Sequence, residues 1–179
     1  MKYSIEWLKE EIDNGLEPKF NFFWSHKDDV GGCCFSQWFY SPFEVDGHVY
    51  KTCEHWMMCQ KALLFDTNEK FFEILDTEHP REVKALGRTI KNFDSKVWDK
   101  KKYNIVKLGN IHKFSQHPEL RKHLLSTGED IIVESSPYDP IWGIGMSKTD
   151  KGVDDIENWK GENLLGFALM EVRNELNNL

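Results

Sequence analysis

The sequence predicts an α+β fold, a mostly helical single domain with a small β-sheet, and three observations predict it. From Cys53 to Phe65 the chain is rich in good helix formers and poor in breakers, and helix dominates the middle of the sequence. An Asp-Gly turn near residue 46 and a β-branched run at residue 131 supply the strand signals. No internal repeat, low-complexity tract or linker divides the 179 residues, a length that suits one compact domain.

Taken in order, Ser4 can cap a short helix that carries Trp7, Leu8 and Ile12 on one side and stops at Gly15, before Pro18. This reads as a peripheral N-terminal extension, residues 1–19, ahead of a domain spanning 20–179. Residues Phe20 to Trp24 are aromatic and strand-like, and Asp28 to Cys34 reads as a glycine-containing loop. Phe43-Glu44-Val45 and His48-Val49-Tyr50 flank Asp46-Gly47, whose residues supply the positive backbone angles of a tight hairpin turn. Thr52 stands at the N-cap position of a central helix, Cys53 to Phe65. Further helices are expected after Pro80, from Ser95 to about Phe114, and from Pro118 to Ser126. Ile131-Ile132-Val133-Glu134 reads as a buried strand followed by a turn-rich loop. A final amphipathic helix from about Asn163 to Leu176 aligns Leu165, Leu169, Val172 and Leu176 in one stripe.

Composition narrows the function. A formal net charge of −7 and a pI near 5.5 argue against general, nonspecific DNA binding, which depends on a basic surface. The lysines of the 96–107 stretch (Lys96, Lys100, Lys101, Lys102 and Lys107) offer a local basic rim for a phosphate, or simply a solvated helix face. No apolar run approaches the roughly 20 residues of a membrane span, and residues 1–7 lack the apolar stretch of a signal peptide, so no membrane partner and cytoplasmic residence are expected. Cys33, Cys34, Cys53 and Cys59 read as reduced thiols, and without paired CxxC or HxxxH spacing they and His55 make no zinc motif. Neither a GxGxxG nor a P-loop is present, so no cofactor and no metal are expected.

Two segments carry chemistry. Glu54 and Lys61 are seven residues apart, on one helix face and roughly 10.5 Å along the axis, with Met57 and Met58 as an apolar floor between them. A carboxylate and an amine over an apolar floor suit a sugar bearing a flat base; a methionine core stripe with two solvated charges accounts for the same pattern. In Tyr138-Asp139-Pro140-Ile141-Trp142-Gly143-Ile144-Gly145, Trp142 offers a stacking plane, Asp139 a carboxylate, and the glycines room for a close backbone approach. The same loop is also explained as a turn with Trp142 plugging the core. Gly161-Glu162-Asn163 presents backbone N–H groups to a phosphate, or makes an ordinary helix cap.

Together, Thr52-Cys53-Glu54-His55-Trp56-Met57-Met58-Cys59-Gln60-Lys61-Ala62 and Asp139-Pro140-Ile141-Trp142-Gly143-Ile144-Gly145 resemble the motifs of the NADAR, or YbiA-like, family. Ala85-Leu86-Gly87-Arg88, Trp98, His117-Pro118-Glu119-Leu120-Arg121 and Asn163-Leu164-Leu165-Gly166 extend the resemblance across residues 20 to 179. It implies a YbiA-like fold and hydrolysis of an N-glycosidic bond, in phosphoribosylamino-pyrimidine intermediates of riboflavin synthesis or in ADP-ribose attached to guanine, free or within nucleic acid. By motif match it implies Glu54, Lys61 and Asp139 as catalytic residues. Trp56, Gln60, Arg88, Trp98, Trp142, Gly143 and Asn163 follow as substrate-binding residues. The three catalytic candidates are then expected to line one cavity. The family's usual Phe-Ser-Asn-Phe segment stands here as Phe35-Ser36-Gln37-Trp38-Phe39, a departure that leaves selectivity for the base open. Two other functions fit the composition: a non-catalytic reader of NAD or ADP-ribose derivatives, and a structural domain whose aromatic residues serve only the core.

Overall fold

The computed structural model describes residues 1–25 and 32–178. Within them the fold is α+β, with seven α-helices and two two-stranded sheets, and the described chain divides into two compact units, residues 37–118 and residues 1–36 with 119–179. None of the described helices is long and apolar enough to cross a membrane.

The 37–118 unit begins with the expected hairpin, β2 (Phe43–Val45) antiparallel to β3 (His48–Tyr50). Asp46 and Gly47 sit between them at φ 51° and 77°, the left-handed pair that a two-residue turn needs. Gln116 ties this hairpin to α5 by pairing both ends of its amide with the main chain of Glu44. Helix α2 (Cys53–Phe65) packs on α3 (Asn68–Asp76), α4 (Pro80–Gly87) and α5 (Ser95–Gln116), and its first seven residues are all buried. Gly87 and Gly109 let these neighbours close in. A Cβ at Gly87 would stand 2.0 Å from Met58 Sδ, and one at Gly109 2.4 Å from Trp56 Cδ1. Helix α3 is absent from the sequence expectations. Its start was nonetheless marked by Thr67, whose hydroxyl accepts from Lys70 N, and its buried side by Phe71 and Ile74 at helical spacing.

In the other unit, α1 (Ile5–Asp13) starts on the Ser4 cap and buries Leu8, and Asn174 donates to the Tyr3 hydroxyl. Strand β1 (Phe20–Phe23) runs parallel to β4 (Ile131–Glu134), and the long span between them is the crossover that a parallel pair requires. The loop expected from Asp28 to Cys34 lies mostly outside the described residues; its described end, Gly32–Phe35, is a 3-10 turn with Cys33, Cys34 and Phe35 buried. Helix α6 (Pro118–Ser126) has the expected bounds. Helix α7 (Leu164–Asn177) departs from the single apolar stripe read from the sequence: Leu165, Leu169, Val172 and Leu176 are buried, but so are Leu164, Phe167, Ala168 and Met170. Residues 164–170, the first two turns, are apolar and buried on all sides, as suits a core, and α7 packs against β4.

Candidate functional site

The Thr52 hydroxyl accepts from His55 N, and the Gln37 carbonyl accepts from Glu54 N at 3.0 Å, so N–H groups of the first turn of α2 are satisfied locally. Glu54 lies in that first turn, where the helix dipole favours a carboxylate, yet it is only 3% exposed. That burial removes the solvated-face explanation for Glu54. His55, fully buried, is spent on structure: the Thr52 hydroxyl donates to Nδ1 at 2.8 Å, and Nε2 donates to the Thr77 carbonyl at 2.9 Å. The Cys53 thiol is pushed up to about 11 by burial and Cys59 is raised by the same cause, so neither is an activated nucleophile.

Two turns along, Lys61 Nζ donates to the Gly87 carbonyl at 2.8 Å and lies 4.3 Å from the ring centre of Phe93 and 5.6 Å from that of Trp98. The loop that delivers Phe93 is pinned to the end of α2, where Asp66 accepts from Lys91 N and the Phe65 carbonyl from Asn92. Burial lowers the Lys61 pKa, with the Glu54 charge opposing the shift. Trp98 is thus brought to Lys61 as expected, and exposed Arg88 follows directly on Gly87. Sequence reasoning missed Phe93. It also missed Lys113, which is fully buried, lies 5.4 Å from the Phe39 ring centre and 5.1 Å from that of Phe114, and lowers the Cys53 thiol pKa against the larger effect of burial, while Glu54 raises it. The signal was present: Val106, Asn110, Lys113 and Phe114 recur at helical spacing on the buried side of α5. Lys96, Lys100 and Lys101, by contrast, are solvent-exposed, and Lys102 pairs with Asp99.

Trp56 and Gln60 are not on the Lys61 face. At 100° per residue they lie roughly 200° and 240° around α2 from Glu54. Trp56 is 5% exposed and its indole donates to the Ile105 carbonyl at 2.8 Å. Both line a separate cavity of about 720 Å³, with Tyr50, Phe71, His48 and His112.

The second motif lies in the other unit. One oxygen of Asp139 accepts from Ile141 N at 3.0 Å and from Trp142 N at 2.9 Å, which shapes the turn. The space beside Gly143 is filled by the chain itself, since a Cβ there would stand 2.7 Å from the Glu134 carbonyl oxygen. Asn163 is fully buried at φ 52°, and its amide bridges to β4, accepting from Glu134 N and donating to the Ile132 carbonyl. The backbone N–H groups of residues 162–165 donate to the carbonyls of Pro140, Gly143, Ile141 and Trp142, respectively. The α7 N-terminus is therefore capped by the 140–143 backbone, the cap of the two readings, made by main chain, and these N–H groups are not turned to a phosphate.

A buried carboxylate and a partly desolvated lysine thus stand seven residues apart on one packed helix. The NADAR domain family model matches residues 22–177, and the chain belongs to that family. The mimivirus protein named N-glycosidase R617, from Acanthamoeba polyphaga mimivirus, is 44% identical over 160 residues, covering 86% of this chain and 94% of the relative. N-glycosidase YbiA of Escherichia coli strain K12 is 34% identical over 168 residues, 93% of this chain and 94% of the relative. The solution NMR structure of the E. coli protein YbiA superimposes with a TM-score of 0.74 at 30% identity, covering 91% of this chain and 88% of that one. The chain is an enzyme of the N-glycosidase class.

Proposed function

We propose that the chain hydrolyses the ribose C1–N bond of a nucleotide-type substrate, with Glu54 and Lys61 as its central catalytic groups. The substrates in view are a phosphoribosylamino-pyrimidine intermediate of riboflavin synthesis and ADP-ribose joined to guanine. The observation that carries the reading is the setting of Lys61, an amine whose pKa burial lowers, held by Gly87 and flanked by Phe93 and Trp98. Breaking a C1–N bond requires a proton on the departing nitrogen, stabilisation of positive charge at C1, and a water that ends on C1. Glu54, with Asp139 in support, stabilises that charge and activates the water in one route. In the other, neutral Lys61 attacks C1 of the ring-opened sugar, the base nitrogen takes a proton and leaves C1, and water hydrolyses the resulting Lys61 imine to free the sugar and the amine, which a lowered amine pKa favours. Arg88, Trp98 and Trp142 are proposed to hold the phosphate and base.

The test is incubation with both substrates and mass spectrometry of the released base and sugar. The parent protein releases product from one of them, and a folded Lys61→Ala variant is slower by roughly 10²- to 10⁴-fold. Cleavage by that variant at the parent rate removes Lys61 from the reaction. Thermal stabilisation by substrate with no product marks a reader instead.

A further inference from the structure

Gln37 stands directly ahead of the hairpin that leads into α2. Its side chain is 8% exposed, and among the described residues neither its amide nitrogen nor its amide oxygen has a hydrogen-bond partner. Other buried amides of the chain are used: Asn163 bridges β4 and α7, and Asn110 donates to the Val106 carbonyl while accepting from the Cys53 thiol. A buried amide left without donor or acceptor partners is destabilising, and an apolar residue of the same shape would avoid that cost. Such a residue is kept where something outside the chain completes it.

The position of Gln37 says what that is. Its own carbonyl accepts from Glu54 N at 3.0 Å, so its backbone is fixed to the first turn of α2, beside the buried carboxylate. We propose that Gln37 is a specificity-determining residue of the Glu54–Lys61 site, its amide pairing with the lactam edge of the base, where a ring C=O and N–H stand side by side. An amide offers a donor and an acceptor in the same spacing, so the match is bidentate. Guanine has that edge, and an amino-pyrimidinone has it too; a purely apolar stacking surface would accept either base or none by shape alone. This inference rests on the Glu54–Lys61 site being the substrate site, and its test does not depend on cleavage.

The probes are guanosine 5′-monophosphate, which carries the lactam, and ribose 5-phosphate, which lacks a base, each titrated calorimetrically into the parent protein and into Gln37→Leu. The parent binds the guanosine probe more tightly. In Gln37→Leu that affinity falls about tenfold, the expected loss for two neutral hydrogen bonds, while ribose 5-phosphate binding is unchanged and the unliganded protein melts at a higher temperature. Gln37→Asn, which keeps the amide on a shorter stem, retains part of the affinity. Equal weakening of both probes assigns the amide to the sugar and overturns the base reading. Unchanged binding of the guanosine probe overturns the proposal, as does a parent protein that binds neither probe. A parent that cleaves neither proposed substrate but shows the probe difference, lost in Gln37→Leu, would sink the proposed reaction and leave this assignment standing.

Discussion

At the scale of single residues, burial sets the chemistry of α2. Glu54, His55 and Lys61 lie within two turns of each other, and only Lys61 keeps appreciable contact with solvent. His55 has the clearest consequence for stability. Burial, ahead of its other neighbours, lowers its pKa below the ordinary 6.5, because a charged ring would sit desolvated while the Thr52 hydroxyl donates to Nδ1. The folded state thus binds this proton less readily than the unfolded chain does. Its contribution to stability is complete above pH 6.5 and is lost as the pH falls through the lower folded value. The melting temperature is expected to drop between about pH 7.5 and 5, and His55→Gln, which cannot titrate, is expected to show a smaller drop; equal slopes would assign the acid sensitivity to other groups.

At the scale of elements, Asn163 joins β4 to α7. Two main-chain groups of the strand, Glu134 N and the Ile132 carbonyl, depend on this one side chain, and it occupies a left-handed position that asparagine tolerates better than most residues. Asn163→Ala is expected to lower the unfolding free energy by about 2–4 kcal/mol in urea titrations, since it leaves both groups unpaired. Asn163→Gly relieves the backbone angle but restores neither bond, so it should recover only part of that loss. Full recovery in the glycine variant would show that the backbone angle, and not the bridge, makes Asn163 matter. Gly87 and Gly109 work by the opposite means, through the absence of a side chain, and their contacts with Met58 and Trp56 seat α4 and α5 on α2.

At the scale of the molecule, the family match spans residues 22–177 and takes in both compact units, with Glu54 and Lys61 in one and Asp139 in the other. If the three act on one substrate, their effects are strongly non-additive. Lys61→Ala combined with Asp139→Asn is then expected to be hardly slower than Lys61→Ala alone, as is usual for groups that serve one step. Multiplied effects in the double variant would mean independent roles, with Asp139 confined to shaping the 139–143 turn. Much of this architecture was legible in the chain. Thr52, Pro80 and Pro118 mark helix starts, and Asp46-Gly47 and the Ile131–Glu134 run mark the hairpin and the buried strand, because caps, tight turns and β-branched runs are local chemistry. The sequence alone also determined that Glu54 and Lys61 share a helix face, since helical periodicity needs no partner. Only the tertiary structure decided that Glu54 is buried, that Phe93 and Gly87 hold Lys61, that Trp56 and Gln60 turn to another cavity, and that the 140–143 carbonyls fill the α7 N-terminus. Desolvation and the satisfaction of backbone groups depend on which distant segments pack together, and a one-dimensional pattern does not record them.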